Sequence, residues 1–189
     1  MNHFIRLVLL AGCTATSQLL PAQHADAVQA PRIARELMQE ALLNAKSEHK
    51  GVLVKFSASW CGPCQEFDRF LNDTTGVGAI MRRHFEIVAL TTLEFAAKAA
   101  LNNPGAVELS REMGGDLATT GIPYFFMLDG AGRKLGDSRS MPDNTNIGYP
   151  QTAAEVVSFD KLLIQTAPSM TAAERTRIRT FLDKAAGRS

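Results

Sequence analysis

The chain has 189 residues, room for one globular domain and an N-terminal address but little for two independent cores. Apolar residues make up 46% and charged residues 21%, and a formal charge of +1, with Lys and Arg scattered, offers no field for nucleic acid or an acidic membrane. Three cysteines are too few for a disulfide-stapled miniature fold, so two of them lying three positions apart call for a chemical explanation.

Residues 1–6 carry one positive charge, and Leu7-Val8-Leu9-Leu10-Ala11-Gly12 follow as an apolar run too short to span a bilayer, the order of a secretory signal. Two processing routes stand side by side. Leu10-Ala11-Gly12-Cys13 resembles the lipobox of bacterial lipoproteins and makes Cys13 a lipidation candidate, whereas Ala25-Asp26-Ala27 offers a small-x-small cleavage site. The expected division is a signal over 1–27, cut before Cys13 or after about Ala27, and one domain over 28–189. Export to the periplasm follows, with membrane attachment only through a lipid on Cys13.

Ile33, Leu37, Met38, Ala41, Leu42 and Ala45 recur at helical spacing and predict an amphipathic helix ending near Lys50-Gly51. Val52-Leu53-Val54-Lys55-Phe56 reads as an interior strand. Trp60-Cys61-Gly62-Pro63-Cys64 comes next, and Phe67, Phe70 and Leu71 behind it place the cysteines at the opening of a helix. A turn over 72–78, a helix over 77–84 and a strand over 85–90 complete a βαβ unit with its parallel pairing and right-handed crossover.

Leu93 to Leu101 has helical character, Asn102-Asn103-Pro104-Gly105 breaks it, and Ala106 to Met113 is helical again, so this stretch reads as an insertion and a crossover helix. Thr120-Gly121-Ile122-Pro123 precedes the apolar strand Tyr124-Phe125-Phe126-Met127-Leu128, and Asp129-Gly130-Ala131-Gly132 turns it back into Arg133-Lys134-Leu135. Gly136 to Pro150 lacks periodicity and reads as a long loop, either bordering a functional surface or merely tolerated. Thr152-Ala153-Ala154-Glu155 and Thr171-Ala172-Ala173-Glu174 have the spelling of capping boxes and open two C-terminal helices, split by Pro168 and expected to press Ile164, Ile178, Phe181 and Leu182 onto the domain.

Trp60-Cys61-Gly62-Pro63-Cys64 after one strand, and Gly121-Ile122-Pro123 before another, resemble the thioredoxin family over about residues 32–135. The resemblance implies an α/β thioredoxin-like fold, a central mixed sheet flanked by helices, here with an insertion before the strand of the cis-proline and a two-helix extension at the C-terminus. It implies thiol-disulfide exchange with Cys61 as nucleophile and Cys64 as resolving thiol, no cofactor beyond the redox-active Cys61–Cys64 disulfide, and, as partners, protein disulfides and an upstream thiol-redox protein.

The chemistry is consistent with that likeness. A cysteine at a helix N-terminus lies beside unpaired amides and the positive end of the dipole, which stabilise a thiolate. A thiol of pKa about 8.5 is only roughly 3% ionised at neutral pH, and lowering it to about 7 makes roughly half reactive. Gly62 allows close approach of a substrate backbone, and Pro63 fixes φ at the helix start. Trp60 is expected as a flat apolar shelf beside the sulfurs. Pro123 resembles the family's cis-proline, leaving the Ile122 backbone to pair with an extended substrate while Ile122 shields the sulfurs; a trans proline at a strand's first residue is the plainer reading.

The sequence also departs from the family. Where thioredoxins carry a buried acid six residues before the first cysteine, this chain has Lys55, which either stabilises thiolate and makes the pair more oxidising or turns to solvent. Glu66 and Asp68 are expected as exposed helix residues. A reductase or isomerase of protein disulfides is therefore the leading expectation; the alternative is a copper or zinc delivery module using the two thiolates, although His3, His24, His49 and His84 are too dispersed to complete a ligand set.

Overall fold

Residues 30–74 and 76–187 are described by a computed structural model. The export signal, its cleavage sites and Cys13 lie outside the described residues.

Helix α1 (Ala34–Glu48) ends with His49 in the left-handed conformation and leads into strand β1 (Gly51–Ser57). Helices α2 (Gly62–Asn72) and α3 (Val77–His84) cross to β2 (Phe85–Thr91), which pairs parallel to β1. A short 3-10 helix (Ala96–Leu101), α4 (Ala106–Glu112) and the single turn α5 (Leu117–Thr120) lead to β3 (Tyr124–Leu128), antiparallel to β1. Strand β4 (Lys134–Asp137) closes the edge, and α6 (Ala153–Thr166) and α7 (Ala172–Ala185) follow. The sheet order is β2-β1-β3-β4, so β1 lies inside, between the parallel and antiparallel pairs.

Alternation along the strands divides the core in two. Val52, Val54 and Phe56 join Tyr124, Phe126 and Leu128 beneath α1 and α4. Leu53, Phe125 and Met127 face the other way, onto Phe67 and Phe70 of α2, Ile80 and Met81 of α3, Phe159 and Leu163 of α6, and Ile178 and Leu182 of α7. The C-terminal helices thus supply one layer of the core.

Both capping boxes form: the Thr152 and Thr171 hydroxyls each accept from the amide three residues on, and Glu155 and Glu174 accept from the cap amides in return. Ile164, by contrast, is half exposed, on the outward side of α6, and Phe181 is only partly covered; Ile178 and Leu182 make the contacts expected of them. Within 93–101 only Ala96–Leu101 coils, as a 3-10 helix rather than an α-helix, and Gly136 and Asp137 belong to β4 rather than to the loop.

The α2–α3 junction leaves no space for a side chain at Gly78, because a Cβ there would stand 2.5–2.7 Å from the carbonyl oxygens of Asp73, Leu71 and Phe70. Gly78→Ala should cost about 1–3 kcal/mol, since backbone rather than a flexible side chain must move, and a lowered urea midpoint checks it. At the other end of α3, Glu174 accepts from Arg83 (2.8 Å) and from the Thr171 amide, which hold its carboxyl down at about 2 from the ordinary 4.5. A depressed carboxyl stabilises the fold above its unfolded value and loses that contribution as pH falls toward the folded one. Glu174→Gln should therefore lower stability by about 0.5–1 kcal/mol at neutral pH, with the gap closing between pH 4.5 and 2 in parallel denaturation curves.

Candidate active site

Strand β1 ends at Ser57, and four residues later Cys61 caps α2 in extended conformation with Pro63 in the first turn. The cap is made by sulfur: the Cys64 amide donates to Cys61 Sγ at 3.2 Å, while the Cys61 amide donates to the Ala58 carbonyl. Cys61 and Cys64 are joined by a disulfide. Cys64 is fully buried and Cys61 nearly so, and Ala58 and Ile122 complete their apolar surroundings.

The peptide bond between Ile122 and Pro123 is cis, which decides against the plainer reading of Pro123. It places the Ile122 carbonyl oxygen 3.7 Å from Cys61 Sγ, a bare contact while the sulfur carries no proton. The 138–152 loop holds this corner from below. Asn146 donates to the carbonyls of Thr120 and Pro123, both at 3.1 Å, and Gly148, at φ +49°, lies so close that a Cβ would come within 3.2–3.3 Å of Pro123. Ile147 and Tyr149 of the same loop are buried, Tyr149 against Phe67 and Phe70 of α2. One loop therefore braces both the proline corner and the helix that carries the cysteines.

Lys55 does not turn to solvent. Facing α2 from the middle of the sheet, it is 0% exposed, forms an ion pair with Asp68 and lies 5.8 Å from the centre of the Phe67 ring. Burial pushes its pKa down, and the hydrogen bond and charge of Asp68 oppose that shift. Asp68, expected as a plain surface residue, is 43% exposed yet supplies the carboxylate for this buried ammonium. It sits four residues after Cys64, one helical turn along the same helix.

Trp60, expected as a flat apolar shelf beside the sulfurs, is not buried in the core. It is 46% exposed and stacks on Phe95 at 5.3 Å, with its indole N–H donating to the Leu93 carbonyl at 2.9 Å. Gly62 faces open space, with no atom within 4 Å of a Cβ position. Sequence reasoning missed Asp68, whose signal was a strand lysine in need of a counter-charge, and Phe95, an aromatic inside a segment of uncertain structure. Among the described residues, no group of three or more His, Cys, Asp or Glu side chains is placed to hold a metal ion.

A vicinal dithiol held as a disulfide at a helix N-terminus, facing a cis-proline just before the neighbouring strand, defines the site as a thiol-disulfide centre on a thioredoxin-like fold. A family model described as a thioredoxin-like domain matches residues 38–142, and the chain belongs to that family. Among curated proteins, the thiol:disulfide interchange protein DsbD of Vibrio cholerae is 34% identical over 79 residues, a match covering 36% of this chain and 13% of that much longer protein. Among solved structures, a disulphide isomerase from Xylella fastidiosa is 24% identical, covering 89% of this chain and 98% of that one with a TM-score of 0.46. The C-terminal domain of Neisseria meningitidis DsbD in its oxidised form is 21% identical, covering 58% and 84% with a TM-score of 0.38.

Proposed function

We propose that the chain exchanges electrons with protein disulfides through Cys61 and Cys64, as a reductase or isomerase in the periplasm. The observation that carries this reading is the Cys61–Cys64 disulfide at the start of α2, with the Cys64 amide aimed at Cys61 Sγ. That amide and the helix N-terminus would favour a thiolate on Cys61 once the pair is reduced.

The cycle follows from the positions of the two sulfurs. Cys61 thiolate attacks one sulfur of a substrate disulfide, the other leaves as thiolate and takes a proton, and a mixed disulfide remains. Cys64 gives up its proton and attacks Cys61 Sγ, which releases the second substrate thiol and regenerates the Cys61–Cys64 disulfide. The substrate has gained two electrons, and a thiol-redox partner restores them to the pair. Burial of Cys64 keeps the second attack for a sulfur already bound to Cys61, and the Ile122 backbone beside the cis-proline is the edge along which an extended substrate segment would pair.

The test is disulfide reduction by wild type against Cys61→Ser together with the potential of the pair; an unchanged rate in the variant overturns the reading. Export rests on the order of charge, apolar run and small residues in 1–27. No helix among the described residues is long and apolar enough to cross a membrane. The mass of the mature N-terminus distinguishes lipidation at Cys13 from cleavage after Ala27, and an unprocessed chain overturns export.

A further inference from the structure

The segment between β2 and α4 is fastened to the cysteine loop at several points. The Glu94 carboxylate is buried and accepts from the Ser59 amide at 2.5 Å and the Ser59 hydroxyl at 2.9 Å. Lys98 donates to the same hydroxyl at 3.2 Å, and Trp60 donates to the Leu93 carbonyl. Leu93 is held at φ +56°, in the left-handed region that a leucine seldom occupies without a structural reason. Behind it, Asn102 accepts from the Glu94 amide and Asn103 accepts from the Thr91 amide while donating to the Arg32 carbonyl.

What this bracing presents to solvent is apolar. Phe95 is 66% exposed, Trp60 46% and Leu93 39%, with the two aromatic rings stacked, and the patch begins at the residue next to Cys61. Neither Glu94 nor Leu93 belongs to the core clusters, and the bonds they make to Ser59 and Trp60 hold the start of this segment, with its exposed aromatic ring, against the cysteine loop. Rigid aromatic surface of this kind binds with little loss of side-chain freedom.

We infer that Leu93, Phe95 and Trp60 form a docking shelf for the substrate polypeptide, which takes a large apolar or aromatic side chain next to the substrate's reacting cysteine. The inference rests on the exchange reading above and names the substrate feature that the site selects. The occupant is a substrate segment because the shelf is continuous with Cys61: a chain whose cysteine reaches that sulfur must lay its neighbouring residues across Trp60 or across the Ile122 edge.

The test uses reduced protein in single turnovers with two peptides of equal length and the same disulfide, one with Phe and one with Gly beside the cysteine, and with a small non-peptide disulfide. Phe95→Ser should lower kcat/KM for the Phe peptide by about tenfold, as loss of one aromatic contact at a binding centre does, and change the other two less than twofold. Phe95→Tyr should restore the Phe peptide. Trp60, the single tryptophan, supplies an independent reading, because its fluorescence should respond to the Phe peptide and not to the Gly peptide. Equal losses on all three disulfides, or none, overturn the shelf and leave the exchange chemistry standing. A wild type that turns over no disulfide overturns the exchange reading, and the Trp60 fluorescence then decides the shelf by itself. Self-association of the wild type that Phe95→Ser abolishes also overturns it, by assigning the patch to a second copy of this chain.

Discussion

Cys61→Ser is expected to reduce turnover of protein disulfides by at least about a thousandfold, because removing a covalent nucleophile removes the whole route rather than slowing one step of it. Cys64→Ser should behave differently. Attack by Cys61 survives, the mixed disulfide accumulates, and substrate stays bound until an external thiol releases it. Non-reducing electrophoresis distinguishes the two: a trapped adduct in Cys64→Ser and none in Cys61→Ser. The reverse pattern would exchange the roles of the two cysteines, and adducts in neither would remove the pair from the chemistry. Both changes should be tolerated by the fold, since the helix start is also held by the Ala58 carbonyl, Pro63 and the Gln65 side chain on the Ser59 carbonyl.

The second large effect concerns the ion pair under α2. As a pair, Lys55 and Asp68 nearly cancel, so their influence on the cysteines is smaller than a lone buried ammonium would exert. Asp68→Asn removes the cancellation. The remaining cation favours thiolate, stabilises the reduced dithiol and should raise the potential of the pair by about 30 mV, a tenfold change in the two-electron equilibrium. Lys55→Met leaves the carboxylate and should move the potential the other way. Opposite shifts identify an electrostatic effect; shifts of the same sign would mean that packing around Phe67 is responsible, and the charge argument would fall.

Stability and pH add two checks. Breaking the pair at Asp68 should cost about 1–2 kcal/mol, less than for a fully buried pair because water reaches the half-exposed carboxylate, whereas Lys55→Met, an apolar chain among apolar neighbours, should be near neutral. In Asp68→Asn the lysine loses the partner that opposes its burial, so its pKa falls further. The rise in potential should accordingly be largest at acidic pH, where Lys55 keeps its proton, and fade as it deprotonates.

The parts of the molecule legible in the sequence are those in which the determining interaction is local. The run Val52–Phe56, the helix opened by Pro63, the β2 strand after His84 and the two capping boxes all depend on residues within a few positions of one another, and all form. What the sequence left obscure depends on distant partners. Ile147 and Tyr149 are isolated apolar residues in a polar loop and become core only in the folded chain, Tyr149 against Phe67 and Phe70 of α2. Asp68 looks like any surface acid until the sheet places Lys55 beneath it. Glu94 and Phe95 sit in a segment whose alanines suggest an α-helix, while the Glu94–Ser59 and Trp60–Leu93 hydrogen bonds anchor its start to the cysteine loop.

The helices α6 and α7 have a consequence for the order in which the molecule can be completed. Synthesis delivers the sheet, α2, α3 and both cysteines first, with Leu53, Phe125 and Met127 covered only in part, by Phe67, Phe70, Ile80 and Met81, until Phe159, Leu163, Ile178 and Leu182 emerge to complete that layer. The dithiol is thus assembled on an unfinished and adhesive surface, which stays open until residues 153–185 have left the ribosome and packed against it.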